Sequence, residues 1–534
     1  MSAGIELLDC TLRDGAYITA SNFGTVAIRG IISHLEGAGT EIIECGWLKD
    51  TPHTEGSSFY HVPSDIEMYM SKKRDSTSYV VMIDWDRYDV SNLPENDGNS
   101  IDAVRVVFPK GKHNEAIKIG LAIRKKGYRL FFQAANTFGY SDDELDAMAD
   151  AMNEAMPESL SIVDTFGAMY EEDLERIALR LDERLDKNIK LGFHSHNNKQ
   201  LSFALSMHFV NIMEKSNRAV IVDSSLCGMG RGAGNTTTEL MASFLNEKKG
   251  KSYDLDCILD AIDVFMEYFK KSYSWGYSTP YFISGIYCTH VNNIAYLLDK
   301  HRSNARDMRN IIESLPPDKR LVYDYDLLEE KYLDYYKSDA DHAGAIKKLK
   351  EIIGDRSVLM LCSGASLKRQ RDDVLAYIKD KNPIVIGINA MRDDYKYDIC
   401  FFSNQVRFSY MEMQSSDESV TLVISSNIRN VARENELIVD FNSLVKRGWK
   451  YFDNAGIMCL RLLRDAGIGH VAIAGFDGFS HDFSKNYADC RMPSVNSDDD
   501  WDVVNREIKE MLEEFEEMED RRINIESITR SIFF

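Results

Sequence analysis

The sequence predicts an α/β protein: a (β/α)8 TIM barrel, a helical extension and a C-terminal Rossmann-like α/β domain. Three observations predict it. Short apolar runs alternate with amphipathic helical stretches through residues 1–253, the rhythm of a parallel sheet. The runs number eight, the strand count of a closed barrel in a segment of that length. Polar residues stand at or just after the end of each run, where a barrel carries its chemistry. A doubly wound sheet alternates similarly but does not need a polar residue at every strand exit.

In chain order, strands are predicted over 5–10, 41–45, 79–84, 103–108, 130–134, 159–164, 190–194 and 219–223, with helices such as 142–156 and 171–186 between them. The whole chain, at 534 residues, exceeds what one hydrophobic core supports. From 254 to 350 the pattern turns helical and aromatic, with Trp275-Gly276-Tyr277, Pro280-Tyr281-Phe282 and helical apolar spacing over 290–298. This extension is expected to pack on the barrel as a helical layer; the alternative is a cap that lends one or two side chains to the active site.

A third unit, 351–534, opens with a buried strand from Ser357 into the small-residue turn Ser363-Gly364-Ala365-Ser366. Further strands are predicted over 383–389, 399–403, 420–425, 437–441 and 470–476. The turn is not a G-x-G-x-x-G fingerprint, and Asn389 stands where a dinucleotide fold favours an acid, so NAD is not expected. The stretch 498–520 reads as an acidic amphipathic helix with a solvated face.

Composition narrows the function. Hydrophobic residues at 44% and charged residues at 28% describe an ordinary soluble globular protein. A formal charge of −22 argues against nucleic acid and anionic membrane as partners, because both reward clustered Lys and Arg. No apolar run approaches the ~20 residues of a membrane span, and no signal peptide is visible. The 9 cysteines are odd in number and show neither C-x-x-C nor zinc-finger spacing, which suits reduced thiols in the cytoplasm.

The pair His194-Ser195-His196 closes a predicted strand. Side chains two apart on a strand share a face, so both imidazoles can reach one ion. An Arg13-Asp14 pair follows the first strand, and the glycine-rich run Gly228-Met229-Gly230-Arg231-Gly232-Ala233-Gly234-Asn235 follows the last. Together these describe a catalytic divalent-metal site. Glu44, Asn136, Asp164 and Thr165 also stand at strand exits. Glu44 suits a role against Arg13, and the others suit substrate contact or strand-end capping. The exposed amides of the glycine-rich loop, with Arg231, suit a carboxylate or phosphate.

Through Asp9-Cys10-Thr11-Leu12-Arg13-Asp14-Gly15, Asp164-Thr165-Phe166-Gly167, His194-Ser195-His196-Asn197-Asn198 and the 228–235 run, residues 1–300 resemble a family of pyruvate-metal aldolases and lyases. That family includes 4-hydroxy-2-oxovalerate aldolase, hydroxymethylglutaryl-CoA lyase and isopropylmalate synthase. The resemblance implies Asp14, His194 and His196 as metal ligands, Asn235 as a fourth ligand or supporting group, and Arg13 against a 2-oxo acid. One carboxylate and two imidazoles leave positions open on a divalent ion. Manganese or magnesium is expected there, with cobalt and zinc open.

Two departures from the family pattern bear on mechanism. Ala16 replaces the Glu typical of acyl-CoA-condensing members, which counts against an acetyl-CoA Claisen condensation. Tyr17 replaces the catalytic His of the 4-hydroxy-2-oxovalerate aldolases, and a phenol with an ordinary pKa near 10 is a poorer base. Tyr281, Tyr287 and His290 of the extension are the other candidate proton-handling groups. A Schiff-base lysine lacks support, since the runs 159–164 and 219–223 carry none.

The expected function is a metal-dependent aldolase joining or cleaving pyruvate, or a related 2-oxo acid, and an aldehyde. The alternatives are an acyl-CoA-dependent Claisen synthase or lyase of the same barrel family and a non-catalytic sugar- or nucleotide-binding scaffold. The turn Ser363, Gly364 and Ser366, with Gly475-Phe476-Asp477-Gly478, resembles Rossmann-like domains of bacterial surface-polysaccharide proteins. That likeness implies a sugar or nucleotide ligand and an aldehyde or keto-sugar acceptor in polysaccharide biosynthesis; the alternative is a purely structural or dimerising role. Partners are expected to be small molecules and further copies of the chain in a homo-oligomer.

Overall fold

The computed structural model describes residues 4–534 apart from 71–72, 301–302, 415–418, 430–435, 452, 483–484, 490–499 and 518–521. Its first sheet contains β1 (Ile5–Asp9), β2 (Ile42–Leu48), β3 (Phe59–Tyr60), β4 (Ser78–Asp84), β5 (Ala103–Phe108), β6 (Arg129–Ala134), β7 (Ser159–Asp164), β8 (Lys190–Ser195) and β9 (Val220–Ser224). The order β1-β9-β8-β7-β6-β5-β4-β2, with β2 returning to β1, closes an eight-stranded parallel barrel. This is the predicted TIM barrel. The short β3 adds to β2 outside the closure. Two residues cannot show an alternating pattern, so β3 was not legible in the sequence.

The barrel interior is layered. Leu8, Ile42, Val80, Ala103, Phe131 and Ile221 form a buried apolar floor. Two residues further along four of those strands, on the same face, come Glu44, Arg105, Gln133 and Asp223, all buried. The polar layer therefore lies on the C-terminal side of the floor, immediately beneath the barrel mouth. A bulge in β2 between Glu44 and Trp47 bends that strand just where it reaches the mouth.

The outer helices bury one stripe each. Glu171–Arg184 buries Leu174, Ile177, Ala178 and Leu181, the i, i+3, i+4, i+7 spacing of a helix packed on a sheet. Asp142–Ala155 begins with Ser141 accepting from the Glu144 amide and the Glu144 carboxylate returning to the Ser141 amide.

The second sheet contains β10 (Val358–Leu361), β11 (Ile384–Ile388), β12 (Ile399–Phe402), β13 (Thr421–Ser425), β14 (Glu436–Val439), β15 (His470–Ala474) and β16 (Asn524–Ser527). Its order is β14-β13-β12-β11-β10-β15-β16 and every pairing is parallel. The direction of winding reverses between β10 and β15, as in a doubly wound fold. Exposed β16 was not predicted, because an edge strand of alternating polar residues carries no apolar run. The helix Trp501–Glu517 buries Trp501, Val504, Ile508, Met511, Leu512 and Phe515 and leaves its acidic side to solvent. Both ends of its predicted span, 498 and 518–520, lie outside the described residues.

Contacts divide the chain into two compact units, Met1–Ile294 with Ala305–Tyr323, and Ala295–Asn304 with Asp324–Phe534. Residues 305–323 of the extension thus cluster with the barrel and 324–350 with the second sheet. Among the described residues no helix is long and apolar enough to cross a membrane.

Candidate active site

Three chain segments meet at the barrel mouth. After β1, Asp9 accepts the Thr11 amide and the Thr238 hydroxyl, starting a one-turn helix, Thr11–Asp14, that swings Arg13 and Asp14 over the opening. At the end of β8, the rings of His194 and His196 stand 5.0 Å apart on one side of the strand. After β9, the 228–235 loop brings Asn235 back, its amide donating to the Gly228 carbonyl. Gly230 in that loop has no room for a Cβ, which would strike the Asn235 amide group and the Asp14 carboxylate.

One ligating atom from each of Asp14, His194 and His196 lies within 4.8 Å of the others, and all three residues are buried. Burial alone would raise the Asp14 carboxyl, but the Arg13 guanidinium and then His196 and His194 hold it down at about 2. Burial drops His196 to about 4 despite the adjacent Asp14, so this imidazole is neutral at physiological pH. An ionised carboxylate and a neutral imidazole are the states a cation requires. Asn235 donates to Asp14 at 2.6 Å, and its Oδ1 is buried without a hydrogen-bond partner among the described residues. These donors fit a divalent ion: an anionic oxygen, two imidazoles and an amide oxygen with no other employment.

Behind the cluster runs a buried chain of charges. Arg13 contacts Asp14 and Glu44, both at 2.7 Å. Arg105 contacts Glu44 at 2.9 Å and Asp223 at 2.5 Å. Asp223 in turn accepts from Nδ1 of His194 at 3.0 Å. Three carboxylates (Asp14, Glu44, Asp223) against two guanidiniums (Arg13, Arg105) leave one negative charge in excess, which a bound cation would offset.

The pocket above this layer is lined by Arg13, Asp14, Tyr17, Trp47, Met82, Asp84, Val107, Gln133, Val163, Thr165, Phe166, His194, His196, Asn198, Arg231, His290 and Val291. Of the residues expected from sequence, the structure brings Arg13, Asp14, Tyr17, Thr165, His194, His196, Arg231 and His290 to this wall. Glu44, Asn136, Asp164, Asn235 and Tyr281 are not part of it. Glu44 lies beneath, between two arginines. Asn136 donates its amide to Thr165 Oγ1 and so acts on the wall through that residue. Asp164 accepts the Ala168 and Met169 amides, and burial raises it to about 6. Tyr281 sits on the helix Thr279–Ile286, and Tyr287 takes a hydrogen bond from Arg309.

Sequence reasoning missed Arg105 and Trp47. Arg105 interrupts the otherwise apolar run Ala103–Phe108, and a lone cation facing into a barrel is a usable signal. Trp47 lines the pocket and donates its indole N–H to the Arg13 carbonyl, which the sequence does not signal. In the second unit, the Ser366 amide and hydroxyl are both taken by Asp477, and the Gly364 amide donates to the Gly475 carbonyl. The two motifs singled out there, at the ends of β10 and β15, thus meet each other.

A model of the HMGL-like family matches residues 110–264. A 4-hydroxy-2-oxovalerate aldolase of Salinispora arenicola is 30% identical over 287 residues, covering 51% of this chain and 77% of the relative. An oxaloacetate decarboxylase of Mycobacterium tuberculosis is 26% identical over 267 residues, 48% of this chain and 74% of the relative. A 4-hydroxy-2-oxovalerate aldolase of Thermomicrobium roseum is 28% identical over 269 residues, 48% and 71%.

Proposed function

We propose that this chain, which belongs to the HMGL-like family of aldolases and lyases, is a divalent-metal-dependent carbon–carbon lyase. It makes or breaks the bond between the enolate of pyruvate, or a related 2-oxo acid, and an aldehyde. The observation that carries this reading is the buried Asp14, His194 and His196 cluster at the mouth of the barrel. Asp14, His194 and His196 would hold the ion, with Asn235 Oδ1 as a further donor. A divalent ion there supplies Lewis-acid polarisation of a keto oxygen.

The protein's own groups do the rest. Arg13, fixed by Glu44 and Asp14, presents a planar cation to the wall where enolate charge develops, at no cost of reorganisation. Tyr17 and His290 line the same pocket as neutral hydrogen-bond donors. In the bond-forming direction the Tyr17 phenol can protonate the new alkoxide, while the His290 N–H can hydrogen-bond to it. The relatives support an enolate site, because aldol cleavage of a 4-hydroxy-2-oxo acid and decarboxylation of oxaloacetate both leave the pyruvate enolate. Manganese or magnesium as the ion, and a sugar aldehyde of surface-polysaccharide assembly as acceptor, complete the proposal.

The test is exchange of the pyruvate C3 protons in deuterated buffer, with and without a chelator. It reads enolate formation without knowledge of the acceptor. Metal-dependent exchange is expected, and its absence from the metal-loaded protein overturns the reading.

A further inference from the structure

The wall of the pocket carries a cation that enolate chemistry leaves unused. Arg231 lines it beside Tyr17 and His290. Its guanidinium donates to Oδ1 of Asn292 and lies over the Tyr17 ring, 5.0 Å from the centroid. Among the described residues no carboxylate pairs with it. Arg13, by contrast, is paired with Asp14 and Glu44. The wall's second carboxylate, Asp84, is taken by Lys49 at 2.9 Å. Gly230 and Gly232 flank Arg231; the first has no space for a Cβ and the second has φ +69°, so the loop conformation that aims Arg231 is fixed.

Asn292 has a second task. Its amide donates to Nδ1 of His290 at 3.2 Å, which leaves the ring proton on Nε2. Burial and then the Arg231 charge hold His290 at about 3, so the ring is neutral and donates. A guanidinium, an imidazole N–H and a phenol hydroxyl therefore gather in one part of the wall. Hydrogen bonds to a charged partner are about twice as strong as neutral ones, and a fixed fork matches a planar or tetrahedral anion. In a chain of net charge −22, an anionic substrate needs such a local seat.

We infer that Arg231, held by Asn292 and Tyr17, seats a second anionic group at the substrate end remote from the 2-oxo acid. The site then takes acceptors, or aldol products, that bear their own carboxylate or phosphate. This rests on the function proposed above.

The experiment is calorimetric binding to manganese-loaded full-length protein, independent of turnover. The probes are 2-oxoadipate and 2-oxohexanoate, equal in length and differing by a distal carboxylate, with oxalate reporting on the metal end alone. The wild type is expected to bind 2-oxoadipate roughly 10- to 100-fold more tightly, the worth of one charged hydrogen-bonding contact. Arg231→Gln should bring the two within about 3-fold of each other, as expected when that contact is lost. Asn292→Ala, which frees the guanidinium, should narrow the gap partway and serves if Arg231→Gln does not fold. If oxalate fails to bind, the function proposed above falls. If oxalate binds and the two oxo acids bind equally, or the gap survives in both variants, the Arg231 inference falls. Glyceraldehyde 3-phosphate and glyceraldehyde, compared as aldol acceptors, extend the test to phosphate. A preference for the phosphorylated aldehyde that Arg231→Gln removes supports a phosphate seat, and a preference confined to 2-oxoadipate supports a carboxylate seat.

Discussion

Nδ1 of His194 lies 3.0 Å from Oδ2 of Asp223, the same oxygen that Arg105 holds at 2.5 Å. With Nδ1 donating to a carboxylate, Nε2 keeps its lone pair for an ion, and the ring is fixed in orientation. Arg105 links this histidine through Glu44 and Arg13 to Asp14. Two proposed ligands, one on the helix after β1 and one on β8, are thus tied by one buried ion-pair chain.

Asp223→Asn should therefore weaken metal binding by roughly 10- to 100-fold, the usual cost of removing a partner behind a ligating histidine. His194→Ala or His196→Ala should go further and abolish metal retention, since each removes a ligand outright. Equilibrium dialysis with manganese orders the three variants. An Asp223→Asn protein with unchanged affinity would show that the carboxylate serves only the barrel.

Arg13→Lys should retain the ion yet lose most of its pyruvate exchange. Arg13 reaches Glu44 through Nε and Asp14 through Nη1 at once, both at 2.7 Å, and a lysine cannot span two such partners while facing the pocket. Loss of about 2–4 kcal/mol of transition-state stabilisation is expected, as for removal of a preorganised donor. An exchange rate equal to wild type would take Arg13 out of the chemistry.

These residues show what a sequence makes visible. The eight barrel strands were legible because buried parallel strands are continuous apolar runs, and the spans of β5 and β7 agree with the structure to the residue. His194 and His196 were legible because strand geometry puts alternate residues on one face. The link from Glu44 through Arg105 to Asp223 was not, since its members come from three strands and meet only when the barrel closes. Nor was Asn292, whose work depends on the helix Val291–Asp299 beginning beside the mouth, outside the barrel strands.

Acid should destabilise the metal-free protein through His290. This residue is held at about 3, against an ordinary 6.5, first by burial and then by Arg231. Because the unfolded chain takes up the proton first, native stability falls as pH drops from 6.5 toward 3. His290→Gln removes that contribution, so its melting temperature relative to wild type should rise between pH 7.5 and pH 5. Parallel melting curves for the two proteins across that range would show that His290 is as free to titrate in the native state as in the unfolded one.

A chain ending at Tyr323 should fold and still enolise pyruvate, whereas one ending at Lys350 should be the poorer protein. Every proposed ligand, with Arg231, His290 and Asn292, precedes Tyr323 and belongs to the first compact unit; of the residues retained, 295–304 cluster with the second. Residues beyond it pair within the second unit. The Asp440 amide donates to His342, Asn442 donates to the Tyr336 carbonyl, and Tyr336 packs on Phe441 with ring centroids 5.2 Å apart. Cut at Lys350, the helix His342–Ile353 is severed and Ala345 and Leu349 lose their burial. Apolar surface exposed in this way favours association rather than a clean monomeric fold. Thermal melting and light scattering compare the two truncations, and pyruvate exchange measures the site. Loss of exchange in a well-folded 1–323 chain would mean that the second unit completes the active site, and the independence of the barrel would be refuted.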